Sequence, residues 1–249
     1  MNEQDNWDQH WDDFSLASSL NPANDYRKNL ILNQMHAFKN SSFHLLDIGC
    51  GPGKLVSHLI THFPKAMITG IDMSEKGIEL AKKTNPTVNF YAMNILTIKK
   101  IPDDLFNSVD VAICTEVLEH LDEPELFLKN AKKFLKNNGR MIITVPSGPR
   151  SAFDKHIGHR KHFTKNELKI LIESAGFMVE NVFKSGFPFF NLYKFLIILR
   201  GKRLISDSKK TSLSHIEKTI AKIFQMLFKF NLSNSLWGWQ LIAVLKPRS

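Results

Sequence analysis

Cysteine is scarce in this chain of 249 residues: only Cys50 and Cys114 occur, each inside an apolar stretch that reads as a strand end. That excludes a disulfide framework and suits a reducing compartment. Also missing is an unbroken apolar run of the roughly 20 residues that a spanning helix requires. The most apolar stretch, from Phe187 to Leu199, is interrupted by Lys194. The N-terminus carries Glu3, Asp5, Asp8, Asp12 and Asp13, the opposite of a basic or apolar targeting leader, which argues against export. The expected location is the cytoplasm, with any peripheral attachment at the inner face of a membrane. Internal repeats and low-complexity tracts are absent too, which removes solenoids from consideration.

What is present suffices for one sizeable core, with 43% hydrophobic residues and little room for a second independent domain. The formal charge is +9, and a surplus of that size invites a nucleic-acid partner. Its distribution argues otherwise. Between Lys184 and Lys229 ten basic residues face only Asp207 and Glu217, so the rest of the chain is nearly neutral. This late segment is rich in aliphatics and lacks an aromatic-interleaved polar surface on which bases stack, so nucleic acid is the weaker partner.

Apolar runs of strand length at 43–48, 67–71, 88–93, 109–115, 141–145, 177–183 and 240–245 alternate with helical patterns at 78–83, 125–136 and 165–174. Alternation of this kind predicts an α/β fold whose sheet is covered on both faces. Thr164 with Glu167 three positions on predicts a capping box for the 165–174 helix.

The most informative stretch runs Leu45-Leu46-Asp47-Ile48-Gly49-Cys50-Gly51-Pro52-Gly53, a buried strand leading into closely spaced glycines and then a helix. Such a turn lets a ligand lie against bare backbone. Asp72 ends the second strand, where a carboxylate can accept both hydroxyls of a ribose. Asp47 sits just before the glycines and would repel a pyrophosphate. A cationic ligand with a free amino group is favoured there, because opposite charges in a partly dry cleft attract strongly.

With these motifs at successive strand ends, residues 43 to 183 resemble the class I S-adenosylmethionine-dependent methyltransferases. The resemblance implies a Rossmann-like seven-stranded, mostly parallel sheet with helices on both faces, an antiparallel last strand and a helical insertion before it. It implies a cofactor-binding core at 41–185 and a final strand at 236–249. An N-terminal helical cap at 1–40 is expected ahead of them, and from Gly186 the chain departs from the minimal fold, with an apolar and basic insertion at 186–235 expected to act as a lid or face a membrane. Carried over residue by residue, Asp47, Gly49, Cys50 and Gly51 line the methionine part of S-adenosylmethionine and Asp72 holds its ribose. Met73, Asn94 and Ile95 face the adenine, and Thr115 borders the cofactor from the fourth strand. Where Asn94 stands the family often has Asp. At Leu135 to Arg140 a Pro-Gly-Gly turn is replaced by Asn137 and Asn138, which tolerate positive φ.

Methyl transfer from a sulfonium needs alignment and exclusion of water, and a base only when the acceptor atom carries a proton. Glu116, Glu119 and His120 follow the fourth strand, and a helix starting there would set them on one face of a single turn. This run resembles the site of the metal-dependent O-methyltransferases of ubiquinone biosynthesis and, more distantly, of small-RNA 2′-O-methyltransferases. It implies a divalent cation such as magnesium on Glu116, Glu119 and His120. The alternative is that the two carboxylates serve structure and His120 acts as a metal-free base. A second cluster, His156, His159 and His162, precedes the capped helix. His159, beside Gly158, is the expected functional member with His120 and Glu119, and Arg160 is a candidate for an anionic substrate group. Loop packing is the alternative for the other two histidines.

The runs at 187–199 and 216–230 read as an apolar lid, a membrane-surface element or a cap packed on the domain or a second subunit. Three function classes follow. The first is an enzyme methylating a small or lipid-like acceptor, most simply on oxygen; the second is an RNA methyltransferase acting on tRNA or rRNA. The third is a methyltransferase-shaped binding protein without chemistry.

Overall fold

The computed structural model describes residues 6–11, 21–201 and 214–248. Lys202, Arg203, Asp207, Lys209 and Lys210 of the basic segment, and Glu3, Asp5, Asp12 and Asp13 of the acidic N-terminus, lie outside the described residues.

The stretch His44–Ile48 is buried along its whole length, which marks a strand covered on both faces. It is β1, and with β2 (Met67–Asp72), β3 (Asn89–Ala92), β4 (Val109–Thr115), β5 (Leu135–Pro146), β6 (Phe177–Ser185) and β7 (Gln240–Pro247) it forms one sheet in the order β3-β2-β1-β4-β5-β7-β6. Strands β1 to β5 pair in parallel, and β7 runs antiparallel to both β5 and β6. Chain order reverses between β1 and β4, so a crevice opens beyond their carboxyl ends, where open α/β sheets bind ligands.

The helices are α1 (Pro22–Gln34), α2 (Lys54–His62), α3 (Glu75–Thr84), α4 (Pro124–Lys132), α5 (Ala152–His156), α6 (Lys165–Ser174), α7 (Phe189–Arg200) and α8 (His215–Leu227). One face of the sheet packs a cluster including Phe127, Phe134, Phe163 and Leu168 from the α4 and α6 side. The other packs Tyr26, Ile31, Val56, Phe190, Phe224 and Phe228, so α1, α2, α7 and α8 share the second core. The expected capping box starts α6, with Thr164 and Glu167 each bonded to the other's backbone.

Two expectations are corrected. The 125–136 helix ends at Lys132, because Leu135 already pairs with Val109 and the chain reaches the sheet through an irregular start to β5. Asn137 and Asn138 consequently lie in β5 and take no positive φ.

Phe134 is fully buried where α4 hands over to β5. Phe134→Ala is expected to cost about 3–5 kcal/mol by urea unfolding; a loss under about 1 kcal/mol would contradict this placement.

Candidate active-site cleft

The glycine turn after β1 is held to β2 by backbone: the Gly49 and Cys50 amides donate to the Ile71 carbonyl at 2.8 and 3.1 Å. Gly49 and Gly51 have φ of 76° and 48°, and a Cβ on Gly51 would run into the Trp11 indole. Glycine is the residue that takes such angles without strain.

Two carboxyls end the neighbouring strands. Asp72 Oδ2 accepts the Gly51 amide and Oδ1 the Ser74 amide, both at 2.8 Å, leaving lone pairs for further donors. Burial raises its pKa. Asp47 is buried at 2% exposure, and its Oδ2 has no hydrogen-bond partner. Burial, reinforced by Asp72, pushes the Asp47 carboxyl up to about 7.

Beyond these strand ends lies a cavity of about 400 Å³. Of the residues expected at the cofactor, Gly49, Asp72, Met73, Asn94, Ile95 and Thr115 line it. Asp47, Cys50 and Gly51 do not. Asp47 is buried behind the lining, and Cys50 turns its thiol into the core against Gly70. Gly51 is covered by Trp11, which bridges it to Gly77 at the start of α3. Residues 6–11 are thus anchored across the glycine turn. Ser74 Oγ donates to Asp8 at 2.6 Å and the Lys76 amide to the same oxygen at 3.1 Å. The Asn94 side-chain oxygen already accepts the Leu96 amide at 2.9 Å, which caps a short turn at Ile95–Thr97.

The turn after β4 differs from expectation. Glu116 has φ 55°, so it precedes the helical turn at Leu118–His120 and shares no helix face with it. Its carboxylate accepts from Gln240 at 2.8 Å and Thr144 at 3.1 Å and pairs with Arg27 at 3.3 Å. Glu116 therefore separates from Glu119 and His120, and His159 joins them: ligand atoms of Glu119, His120 and His159 lie within 4.8 Å of one another. Glu119 is fully buried, and neither oxygen has a hydrogen-bond partner. Burial, with Glu116 nearby, holds its pKa well above the carboxylate range. The His120 ring meets Trp7 edge-on at 4.7 Å and His159 at 4.6 Å. Burial, then the neighbouring His120, depresses the His159 pKa to about 2, so this imidazole is neutral.

Gly158 has φ 92° and turns His159 inward as its position suggested. Arg160 does not serve the cavity. Its side chain pairs with Asp122 and bonds the Gly158 carbonyl. Among the described residues, Arg27 and Lys194 bring permanent positive charge to the cavity wall, neither foreseen from sequence as a site residue. Lys194 Nζ pairs with Asp154 at 3.0 Å. The signal was there, since a lone lysine in an apolar run marks the side of a helix that meets polar partners. Phe190, Tyr193, Lys194 and Ile197 follow helical spacing along the inward side of α7.

Comparison with known proteins follows the same geometry. A family model described as "Methyltransferase domain" matches residues 39–187. A ubiquinone biosynthesis O-methyltransferase of Coxiella burnetii is 32% identical over 106 residues, 41% of this chain and 43% of that protein. A malonyl-[acyl-carrier protein] O-methyltransferase of Halalkalibacterium halodurans is 30% identical over 136 residues, 53% of this chain and 48% of that one. The chain thus spans about half the length of these curated relatives. Among solved structures, a TehB-like SAM-dependent methyltransferase from Corynebacterium glutamicum superposes with a TM-score of 0.56 at 18% identity, covering 98% of both chains.

The Asp47 carboxyl gives a direct test. Its pKa is raised on folding, so its protonated form favours the fold; that contribution is present at low pH and lost as pH rises from about 4 to about 7. Asp47→Asn is expected to be nearly neutral at pH 4 and stabilising above pH 7, by at most about 4 kcal/mol, in thermal unfolding of the ligand-free protein. An equal effect at both pH values would contradict the burial argument.

Proposed function

The chain belongs to the methyltransferase-domain family, and on that premise we propose that it transfers the methyl group of S-adenosylmethionine to an oxygen of a small or lipid-like acceptor. The observation that carries this reading is the pair of strand-end carboxyls, Asp47 with an unpartnered oxygen and Asp72 on the cavity wall, beside a glycine turn. A ligand with an ammonium at one end and a sugar diol next to it matches both in charge and in hydrogen bonding. Met73, Asn94 and Ile95 would border the adenine, and Gly49 and Thr115 the sulfur end. Trp11 would have to leave Gly51 for the amino-acid tail to lie on the turn.

When bound, S-adenosylmethionine supplies a methyl group already activated by its positive sulfur. The protein's part is alignment and exclusion of water, by walls such as Trp7, Leu121, Phe127 and Ile197. His120 and Glu119 handle the acceptor's proton, while His159 stays neutral and offers a lone pair.

The same donor set fits a divalent cation. Glu119 brings two buried oxygens without partners, and His159 is held in the neutral form that metal binding requires. Two imidazoles beside one carboxylate suit a transition metal better than magnesium. Glu119, His120 and His159 would hold such a cation, which would supply Lewis acidity toward an acceptor hydroxyl. Glu116, committed to Arg27, Thr144 and Gln240, is left out of this set.

We extend the proposal to the apolar insertion. Leu192, Phe195 and Leu199 on α7 and Ile216, Ile220 and Ile223 on α8 are exposed. No helix among the described residues is long and apolar enough to cross a membrane. This face suits shallow contact with an anionic lipid surface, close to where a lipid-like acceptor resides.

Tryptophan fluorescence should change on titration with S-adenosylhomocysteine, and labelled methyl should pass to phenolic or lipid-like acceptors but not to tRNA. His120→Ala should lower turnover about tenfold or more, leaving S-adenosylhomocysteine affinity within about threefold. Unchanged turnover would remove His120 from the reaction. Binding without transfer to any acceptor would favour the silent binding protein, and chelation without effect would remove the cation. Separately, the protein should pellet with vesicles containing anionic lipid at low salt; remaining in the supernatant would refute the membrane contact.

A further inference from the structure

The loop after β5 joins two of its histidines in a way that determines where their hydrogens lie. His162 Nδ1 is 3.0 Å from the Gly148 carbonyl oxygen, which only accepts, so Nδ1 carries a hydrogen. His162 Nε2 is 3.0 Å from His159 Nδ1, and one of those two nitrogens must donate.

Were His162 the donor, its ring would hold hydrogens on both nitrogens and carry a charge. Its side chain is only 5% exposed, so water does not solvate that charge. The nearest carboxylate, Asp154, lies 4.0 Å from Nε2 and already pairs with Lys194 at 3.0 Å. It also accepts the Ser151 amide and hydroxyl at 2.8 and 2.7 Å. A neutral His162 follows, with Nε2 as acceptor. His159 then carries its hydrogen on Nδ1 and bears its lone pair on Nε2.

We propose that His162, held by the Gly148 carbonyl, is a positioning residue that fixes His159, a member of the cluster with Glu119 and His120, in the tautomer whose Nε2 bears the lone pair. The backbone around the pair is tied by contacts on both sides. Gly148 packs against Trp239, the Arg160 amide donates to the Glu119 carbonyl at 2.7 Å, and Arg150 donates to the His159 carbonyl at 2.9 Å. An acceptor bonded to one ring nitrogen decides which nitrogen an imidazole offers on its other side. In the other tautomer His159 presents an N–H, which accepts no hydrogen from an acceptor hydroxyl and coordinates no cation. The inference deepens the methyl-transfer reading and rests on it for its catalytic meaning.

The test is a two-bond proton–nitrogen correlation spectrum of the full-length protein, labelled with 15N at histidine, at about pH 7.5 with S-adenosylhomocysteine bound. Both His159 and His162 are expected in the Nδ1–H form. His162→Leu should release His159 into a mixture of tautomers and lower turnover about tenfold or more, with S-adenosylhomocysteine affinity within about twofold. His162→Gln, whose side-chain oxygen accepts from His159 Nδ1, should restore the tautomer and most of the turnover. An Nε2–H form of His159 in the unaltered protein overturns the proposal, as does an unchanged Nδ1–H form in the Leu variant. If the Leu variant does not fold, the spectra of the unaltered protein and the Gln variant decide. The expected tautomers in a protein that transfers no methyl group would leave this inference standing and remove the methyl-transfer reading instead.

Discussion

A carboxyl group buried at the end of β1 with one oxygen unpartnered is the constraint around which this molecule is arranged. Leaving a buried acceptor without a donor costs free energy comparable to a lost hydrogen bond, and Asp72 on the adjacent strand makes ionisation harder still. The strand order puts both groups at the same edge, beyond the point where chain order reverses. In the proposed function a positively charged ligand group would relieve the cost at Asp47, and a diol would use the lone pairs left on Asp72. The Trp11 indole packs over the glycine turn.

The remainder of the cleft depends on that edge. β4 and β5 carry Thr115 and Thr144 to it, and Gln240 at the start of β7 reaches the Glu116 carboxylate. Glu116 thereby ties Arg27 of α1 to the sheet, so the N-terminal helix, the last strand and the centre of the sheet meet in one polar network. Glu119 stays outside that network, fully buried, its pKa pushed up by burial and by Glu116, and it clusters with two imidazoles. Burial raises the pKa of Asp47, Asp72 and Glu119 alike, so ionising any of them opposes folding, whereas the proposed function uses their charge.

Much of the fold was legible in the sequence because buried parallel strands produce continuous apolar runs, and the seven runs fall on the seven strands. The glycine turn, Asp72 and the Thr164 capping box were equally plain, since each is a local pattern with a local cause. Errors arose where a tertiary contact overrides local pattern. Helical periodicity past Lys132 gives way because Leu135 pairs with Val109. Glu116 leaves the expected helix face because its amide bonds the Thr144 carbonyl and its φ turns positive. Arg27, Lys194, Trp7 and Trp11 were missed as site residues because only the folded chain brings α1, α7 and residues 6–11 over the sheet edge. Arg160 pointed to a substrate by its place among histidines, but Asp122 captures it.

The most direct measurement of the central claim is a crystal structure of the protein grown with S-adenosylhomocysteine. The account predicts the ligand's amino group against Asp47 Oδ2, both ribose hydroxyls on Asp72, and Trp11 displaced from Gly51. A ligand bound elsewhere, or a glycine turn still covered by Trp11 at saturating ligand, would contradict it.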